Sequence, residues 1–319
     1  MTRLADRFAP GVSVPKLVER KLTITVLSGG PGTEREVSLK SGQAVAAALE
    51  SLGHDVRVAD VSPDSLRALD LPADLVFIAL HGAFGEDGGL QRILEQRGIR
   101  YTGSGPEASA LAMDKVAAKC RFIEAEIPTP RFDVVTPERV QKAIENWTLP
   151  VVVKPVADGS SVDTAIVRDV EAFGNALSHL TRKHGRCLVE RYIAGPELTV
   201  GILNDRALPP IQIRTRREFY DYQAKYLDDD TEYLFDIDLP PAVLEQVREL
   251  SVKASRALGC RDFCRVDWMV EERTHHPYVL EINTIPGFTD HSLLPKAARK
   301  AGLSFAALCQ RIVESAMAR

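Results

Sequence analysis

Cysteine is scarce in this chain, and its spacing excludes more than its number does. The five residues are Cys120, Cys187, Cys260, Cys264 and Cys309. None form a C-x-x-C pair, and Cys260 with Cys264 has no matching second pair or His-x-x-x-His run, which argues against zinc. Reduced thiols in a cytoplasmic protein are the expectation. Charge of one sign is also lacking: 40 Lys and Arg stand against 44 Asp and Glu, a formal net charge of -4. That balance, with cations spread through the chain, gives no case for nucleic acid or an anionic membrane. No uninterrupted apolar run approaches the ~20 residues of a membrane span. Residues 1–20 hold charges, two prolines and a glycine but no apolar h-region, so a flexible arm is expected there and not a signal peptide. Internal repeats and low-complexity tracts are absent as well.

What is present is an ordinary globular composition, 45% apolar and 26% charged, over 319 residues. That length suggests two or three domains and allows a core that needs no disulfide or structural metal. Leu22 to Ser28 is a β-branched apolar run ending in Gly29-Gly30-Pro31-Gly32. A helical pattern follows over 37–52, with Val45, Leu49 and Leu52 on one face and Gly53 as its stop. Strands at 56–59 and 75–80, a glycine-rich loop over 82–89 and a helix at 90–97 continue the alternation. Such alternation predicts a parallel sheet with helices on its faces, here over about 21–113. Further on, Pro150 to Pro155 and Val162 to Val167 read as strands around a polar loop. Cys187 to Ile193 and Leu198 to Leu203 read as a strand pair around Gly195-Pro196. A helix over 241–258, strands over 265–270 and 278–282, and a C-terminal helix complete the chain.

The strongest chemical signal is Cys264-Arg265-Val266-Asp267 followed by Glu281-Ile282-Asn283-Thr284-Ile285-Pro286-Gly287. Strand alternation puts Arg265 and Asp267 on one face, and Glu281 and Asn283 on one face. If those faces coincide, two carboxylates and an amide oxygen converge beside a guanidinium, a set of hard ligands suited to magnesium holding nucleotide phosphates. The plain alternative is a surface ladder pairing Arg265 with Glu281; the apolar neighbours of these residues make unpaired charge there costly. Lys154 follows three valines and precedes Asp158-Gly159-Ser160-Ser161, so it needs an anion such as phosphate or an exit to solvent as a snorkelling lysine. Gly30-Pro31-Gly32-Thr33-Glu34-Arg35 lacks the third glycine of a dinucleotide fingerprint, and Glu34 carries the wrong sign for a pyrophosphate. A carboxylate there suits a substrate ammonium. His81 opens a polar loop, either as a substrate contact or as a neutral core histidine. Phe219 to Tyr226 is too polar for core and reads as a lid or a partner surface.

Taken in order, these segments resemble the D-alanine–D-alanine ligases of the ATP-grasp superfamily. The likeness runs from about Thr23 to the C-terminal helix. It is carried by Gly29-Gly30 with Glu34-Arg35-Glu36-Val37-Ser38, His81-Gly82 with Gly85-Glu86-Asp87-Gly88, Tyr101 to Gly105, and Met113-Asp114-Lys115. Val153-Lys154-Pro155, Gly159-Ser160-Ser161-Val162, Gly195-Pro196-Glu197, Phe219 to Tyr226, Glu281 to Gly287 and His291-Ser292-Leu293 extend it. The fold class this implies is α/β (α+β): an N-terminal parallel-sheet Rossmann-like domain over 21–113, then a two-subdomain ATP-grasp fold, central over 114–206 and C-terminal over 207–319.

By the same resemblance, Lys115 and Lys154 hold ATP phosphates, with Ser160, Ser161 and Lys225 also on the nucleotide. Glu190 and Glu197 contact adenine and ribose, with Tyr192 and Ile193 at the adenine hinge. Asp267, Glu281 and Asn283 ligate two magnesium ions, which manganese can replace. Glu34 receives the ammonium of the first D-alanine and His81 lies near its carboxylate. Arg265 and the Gly287 N–H stabilise the oxyanion, and Ser292 with Leu293 binds the second D-alanine. Ser160 and Tyr226 link to Glu34 and close the lid. The implied reaction joins two D-alanines through a D-alanyl phosphate for peptidoglycan synthesis, in a cytoplasmic homodimer without nucleic-acid or membrane partners. Tyr226 favours an amine acceptor, because the similar D-lactate ester-forming enzymes lack that tyrosine.

Some positions depart from the family pattern. Asp163 replaces a glycine, Arg92, Asp262 and Cys264 replace small residues, and Trp268 replaces an aliphatic one. They leave open a different amino-acid or peptide substrate, or a nucleotide-binding protein without turnover.

Overall fold

The β-branched run at the start of the described chain does form a central strand, because its apolar side chains are covered on both faces. The computed structural model describes residues 20–157, 159, 162–215, 231–289 and 291–319. Strand β1 (Thr23–Ser28) lies between β2 (Asp55–Asp60) and β3 (Leu75–Ile78), all parallel. Helix α1 (Arg35–Ser51) covers one face of this sheet with Val45 and Leu49 fully buried. It begins two residues before the expected 37. The expected glycine loop over 82–89 contains a one-turn helix, α2 (Ala83–Glu86), and α3 (Gly89–Gln96) follows it. Then α4 (Pro106–Met113) and α5 (Lys115–Glu124) lead into the rest of the chain. Proline starts α4 at a position where its missing N–H costs nothing.

Two antiparallel sheets make up the remainder. The first has the order β4–β7–β5–β6, from β4 (Phe132–Val135), β5 (Val151–Pro155), β6 (Ala165–Val167) and β7 (Cys187–Arg191). Helices α6 (Val140–Asn146) and α7 (Val170–His184) back it around Phe173 and Leu177. The second runs β11–β10–β8–β12–β13, with β9 attached to β8. Its strands are β8 (Glu197–Leu203), β9 (Arg206–Ala207), β10 (Ile211–Arg214), β11 (Glu232–Leu234), β12 (Phe263–Val270) and β13 (Pro277–Asn283). Helix α8 (Pro241–Ala257) packs on it. The expected C-terminal helix is two, α9 (Leu293–Lys300) and α10 (Phe305–Met317), divided at Gly302 with φ of 87°.

Leu52, expected on the apolar face of α1, is exposed just past the helix, and the strand expected from Val162 begins only at Ala165, with Val162 exposed in a turn. An expected pairing fails as well. The stretches around 187–193 and 198–203 are strands but not partners: β7 belongs to the first antiparallel sheet and β8 to the second. The link between them does not fold back, because its backbone is used by β12 and the turn beyond it. Val270 N–H donates to Pro196 O at 3.0 Å and Glu272 N–H to Ala194 O at 2.9 Å. Gly195, with φ of 148°, passes so close that a Cβ there would lie 1.9 Å from Val270 O. A hairpin signal is local, whereas this crossing is fixed by a partner seventy residues downstream.

The C-terminal part is locked to the first sheet through apolar and polar contacts. Phe288 stands edge-on to Phe77 and Phe263, with centroids 5.4 Å and 5.3 Å apart. Asp262, buried and at φ of 62°, accepts from Gly103 N–H at 2.7 Å and Ser315 Oγ at 2.8 Å, and pairs with Arg319. This aspartate, one of the departures from the family pattern, is therefore a clasp between the loop joining α3 to α4 and helix α10. Asp262→Asn, which tolerates the same backbone conformation, is expected to cost about 1.5–3 kcal/mol through lost charge-assisted hydrogen bonds. A urea midpoint unchanged from wild type would refute the clasp.

Candidate active site

Strands β12 and β13 decide how the carboxylates meet. Their register sets Arg265 opposite Asn283 and Asp267 opposite Glu281, with a bulge between Asp267 and Trp268. The two faces that alternation left separate thus coincide. Asp267 is nearly buried, and its charge is compensated at once: Arg265 donates from Nε at 2.8 Å and Nη2 at 2.7 Å, and Thr199 Oγ1 donates at 2.6 Å. The ladder pairing Arg265 with Glu281 is not the arrangement adopted; Glu281 Oε2 lies 3.6 Å from Lys115 Nζ. Asn283 Oδ1 accepts from Ile285 N–H at 2.9 Å. On the other face of β12, Cys264 and Trp268 point into the core, where Trp268 Nε1 donates to Ser251 Oγ at 2.9 Å. Those two departures from the family pattern lie away from the carboxylates.

Between the two antiparallel sheets lies a cleft of about 350 Å³, within the usual size range of small-molecule sites. Lys115, Lys154, Glu190, Asp267 and Glu281 give it a charged floor. Val152, Ile166, Ile193, Met269 and Leu280 supply apolar walls, and Tyr192 and Glu197 stand at the edge that continues into β8. Lys115 is placed by its helix start: Asp114 caps α5 by accepting from Val116 N–H at 2.9 Å and Ala117 N–H at 3.0 Å. Lys154 does have an anionic partner rather than an exit to solvent, since its Nζ lies 2.9 Å from Glu190 Oε2. The second partner of Glu190 was not anticipated. Lys119, one helical turn after Lys115, is fully buried with Nζ 2.8 Å from Glu190 Oε1. Burial, and then the Lys154 charge, pull the Lys119 ammonium down to about 8 against the raising effect of Glu190. Glu190 itself is held below the usual carboxylate range by the two lysines in spite of its burial.

The glycine-rich loops form the other end of the site. Glu34 Oε2 lies where side chains on Gly82 and Gly159 would meet it, 3.4 Å and 3.7 Å from their built Cβ positions. Glu34 is thereby within reach of both the histidine loop and the loop after β5. The preceding Gly29-Gly30 turn is held by Asp60, which accepts from Gly30 N–H at 2.8 Å and pairs with Arg35 at 2.5 Å. The Arg35 hydrogen bond keeps the Asp60 carboxyl below its ordinary range. His81 is buried, as its plain reading had it, yet it is not idle in the core. Its Nε2 contacts Ser41 Oγ at 3.2 Å and its Nδ1 lies 3.6 Å from Glu86 Oε1. Ser41 Oγ in turn accepts from Phe288 N–H at 3.2 Å. Burial first, and the Glu34 charge as well, raise the Glu86 carboxyl.

Gly287 and Ser292 are brought together, with the built Cβ of Gly287 only 2.5 Å from Ser292 Oγ. Any larger residue at 287 would displace that hydroxyl, which also accepts from Thr289 N–H at 3.0 Å. Leu293 begins α9 with its side chain buried in the core shared with the first sheet. Asp163 takes φ of 55° and meets Lys183 at 2.6 Å and His184 at 3.2 Å, so an aspartate occupies a left-handed position and draws its own partners. Ser160, Ser161, Lys225 and Tyr226, with most of the expected lid, lie outside the described residues. Lys119, Ser41 and Asp60 were missed by sequence reasoning, and Thr199 was read as part of a motif without a role. Only Lys119, four residues beyond Lys115, carried a periodic signal.

Comparison with known proteins fits this arrangement. The family described as "D-ala D-ala ligase C-terminus" matches residues 122–314, and "D-ala D-ala ligase N-terminus" matches 58–104. A D-alanine–D-alanine ligase of Marinobacter nauticus is 46% identical over 306 residues, covering 95% of this chain and 94% of the relative. One of Ectopseudomonas mendocina is 45% identical, covering 91% and 93%. Among solved structures, the Bacillus anthracis D-alanine–D-alanine ligase complexed with ATP superposes with a TM-score of 0.79 at 34% identity, over 94% of this chain and 98% of that one. The VanG D-Ala:D-Ser ligase of Enterococcus faecalis gives a TM-score of 0.82 at 27% identity, over 93% and 100%. Likeness of this extent, spanning both antiparallel sheets and the parallel one, is that of an ATP-grasp ligase fold, and the chain belongs to the D-alanine–D-alanine ligase family.

Proposed function

We propose that this chain joins two D-alanine molecules into D-alanyl-D-alanine at the expense of ATP, supplying a peptidoglycan precursor. The observation that carries the reading is the in-register pairing of Asp267 with Glu281 and Arg265 with Asn283, beside a cleft floored by Lys115 and Lys154. In this reading the nucleotide base lies against the apolar walls by Tyr192 and Ile193, with Glu190 and Glu197 toward adenine and ribose. Lys115 and Lys154 then face the phosphates, with Ser160, Ser161 and Lys225 also on the nucleotide.

The donor set of Asp267, Glu281 and Asn283 fits magnesium, which takes oxygen ligands and keeps company with substrate phosphates. Two adjacent strands present these oxygens at neighbouring register positions. Two such ions, for which manganese can stand in, would neutralise phosphate charge. Everything else falls to the chain's own residues. Glu34 receives the ammonium of the first D-alanine, and His81 lies near its carboxylate. That carboxylate attacks the terminal phosphorus of ATP, giving D-alanyl phosphate and ADP. The neutral amine of the second D-alanine, placed by Ser292 and Leu293, attacks the acyl carbon. The tetrahedral intermediate then expels phosphate, the attacking nitrogen gives up one proton to the departing phosphate, and the peptide bond remains. Arg265 and the Gly287 N–H hold the oxyanion, while Ser160 and Tyr226 tie the lid to Glu34. Rate comes mainly from positioning and charge neutralisation. We propose further that the enzyme works as a cytoplasmic homodimer. Because Cys264 and Trp268 face away from the cleft, they give no reason to prefer another amino-acid substrate.

Arg265→Met is expected to lose about 2.7–4 kcal/mol of transition-state stabilisation, as for removal of an oxyanion donor, seen mainly in kcat. Near-wild-type turnover in that variant would remove Arg265 from the chemistry. For the substrate, phosphate release is measured with D-alanine alone and with D-alanine plus D-lactate at neutral pH. Dipeptide is expected to dominate, and a predominance of ester would reject the assignment.

A further inference from the structure

Glu190 is a carboxylate with almost no contact with water, and it has two ammonium partners where one would balance it. The partners are not equivalent. Lys154 lines the cleft, whereas Lys119 lies behind the floor, fully buried, and is absent from the lining. Lys119 is also fixed from outside the cleft: its Nζ donates to Thr129 Oγ1 at 2.6 Å, and that hydroxyl donates to Val279 O at 2.8 Å. Its ammonium lies 5.6 Å from the centroid of the Phe132 ring. A cation so held cannot reach a nucleotide, but it can hold a carboxylate.

We propose that Lys119 is a positioning residue for the nucleotide: the permanent counter-ion of Glu190, which lets Lys154 turn to the phosphates. The inference rests on the reading of the cleft as the ATP site. Without Lys119, Glu190 would be a buried charge with Lys154 as its single lysine partner, and breaking that pair to serve a phosphate would expose the carboxylate to the full cost of an uncompensated charge. Glu190 would then compete with ATP for Lys154. With Lys119 in place, the carboxylate stays ionised and aimed while Lys154 changes partner. Lys115, which faces Glu281, is not part of this competition.

The test is a double-mutant cycle on the full chain, read by ADP release and by direct ATP binding. Lys119→Met is expected to raise KM for ATP about tenfold or more while KM for D-alanine stays within about twofold, with Lys119→Arg recovering most of the loss. In a Glu190→Gln background no carboxylate remains to trap Lys154, so adding Lys119→Met should change KM for ATP by less than about threefold. A merely structural role for Lys119 would damage both backgrounds alike. A folded Lys119→Met chain with wild-type KM for ATP, or an equal tenfold loss in the Glu190→Gln background, overturns the inference. If Lys119→Met alone does not fold, the comparison of Glu190→Gln with the double variant decides it, since neither buries an unpaired carboxylate. A wild-type chain that binds no ATP would remove the reading of the cleft itself, an outcome distinct from any of these.

Discussion

Compensation of buried negative charge is the constraint on which this site depends. Asp267 and Glu190 are each withdrawn from water, and each is met within a few ångströms by groups that balance or donate to it. Leaving a single one of them unpaired in a low-dielectric floor would cost more than most side-chain contacts return. The partners come from different strands and helices: Thr199 from β8, Lys119 from α5 and Lys154 from β5. Satisfying the charges therefore requires the sheets to be assembled around the cleft. The same pairings that stabilise the floor set the positions of the charged groups that line the cleft.

The second feature is the coupling of the first parallel sheet to the far end of the chain. Phe288 inserts its ring against Phe77 and Phe263, and its own N–H reaches Ser41 on α1. Ser41 touches His81, so a loop carrying Gly287 and Ser292 is referenced directly to a loop carrying a proposed substrate contact. A hydroxyl with no exposure serves as the joint. Ser41 Oγ thus meets both the Phe288 N–H and His81 Nε2, and one hydroxyl joins the two loops.

Periodicity made much of this legible. The parallel alternation from 23 to 97, the strands around Arg265 and Glu281 and the helix from 241 were all readable from apolar spacing, because burial on one or both faces writes itself into the sequence locally. The convergence of Arg265, Asp267, Glu281 and Asn283 was readable only as a condition, since alternation fixes the face of each strand but not its register against the next. The mispaired 187–203 segment shows the same limit: Gly195-Pro196 looks like a hairpin turn, and only Val270 and Glu272 make it a crossing. Lys119 and Ser41 escaped notice for a different reason. Each reads as an unremarkable helix residue, and its meaning comes from a partner seventy or more residues away.

Two of the departures from the family pattern follow one rule. Asp163 and Asp262 both occupy left-handed backbone positions, at φ of 55° and 62°, where glycine meets no steric penalty and aspartate meets a small one. In each case the side chain offsets that penalty with partners a glycine could not bind: Lys183 and His184 for the first, Gly103 N–H, Ser315 and Arg319 for the second. Cys264 and Trp268 alter the packing behind β12, where Ser255 and Ser251 receive their polar atoms. None of these four side chains enters the cleft lining. Variation of this kind changes how the strands and loops are held, and does so outside the lining of the cleft.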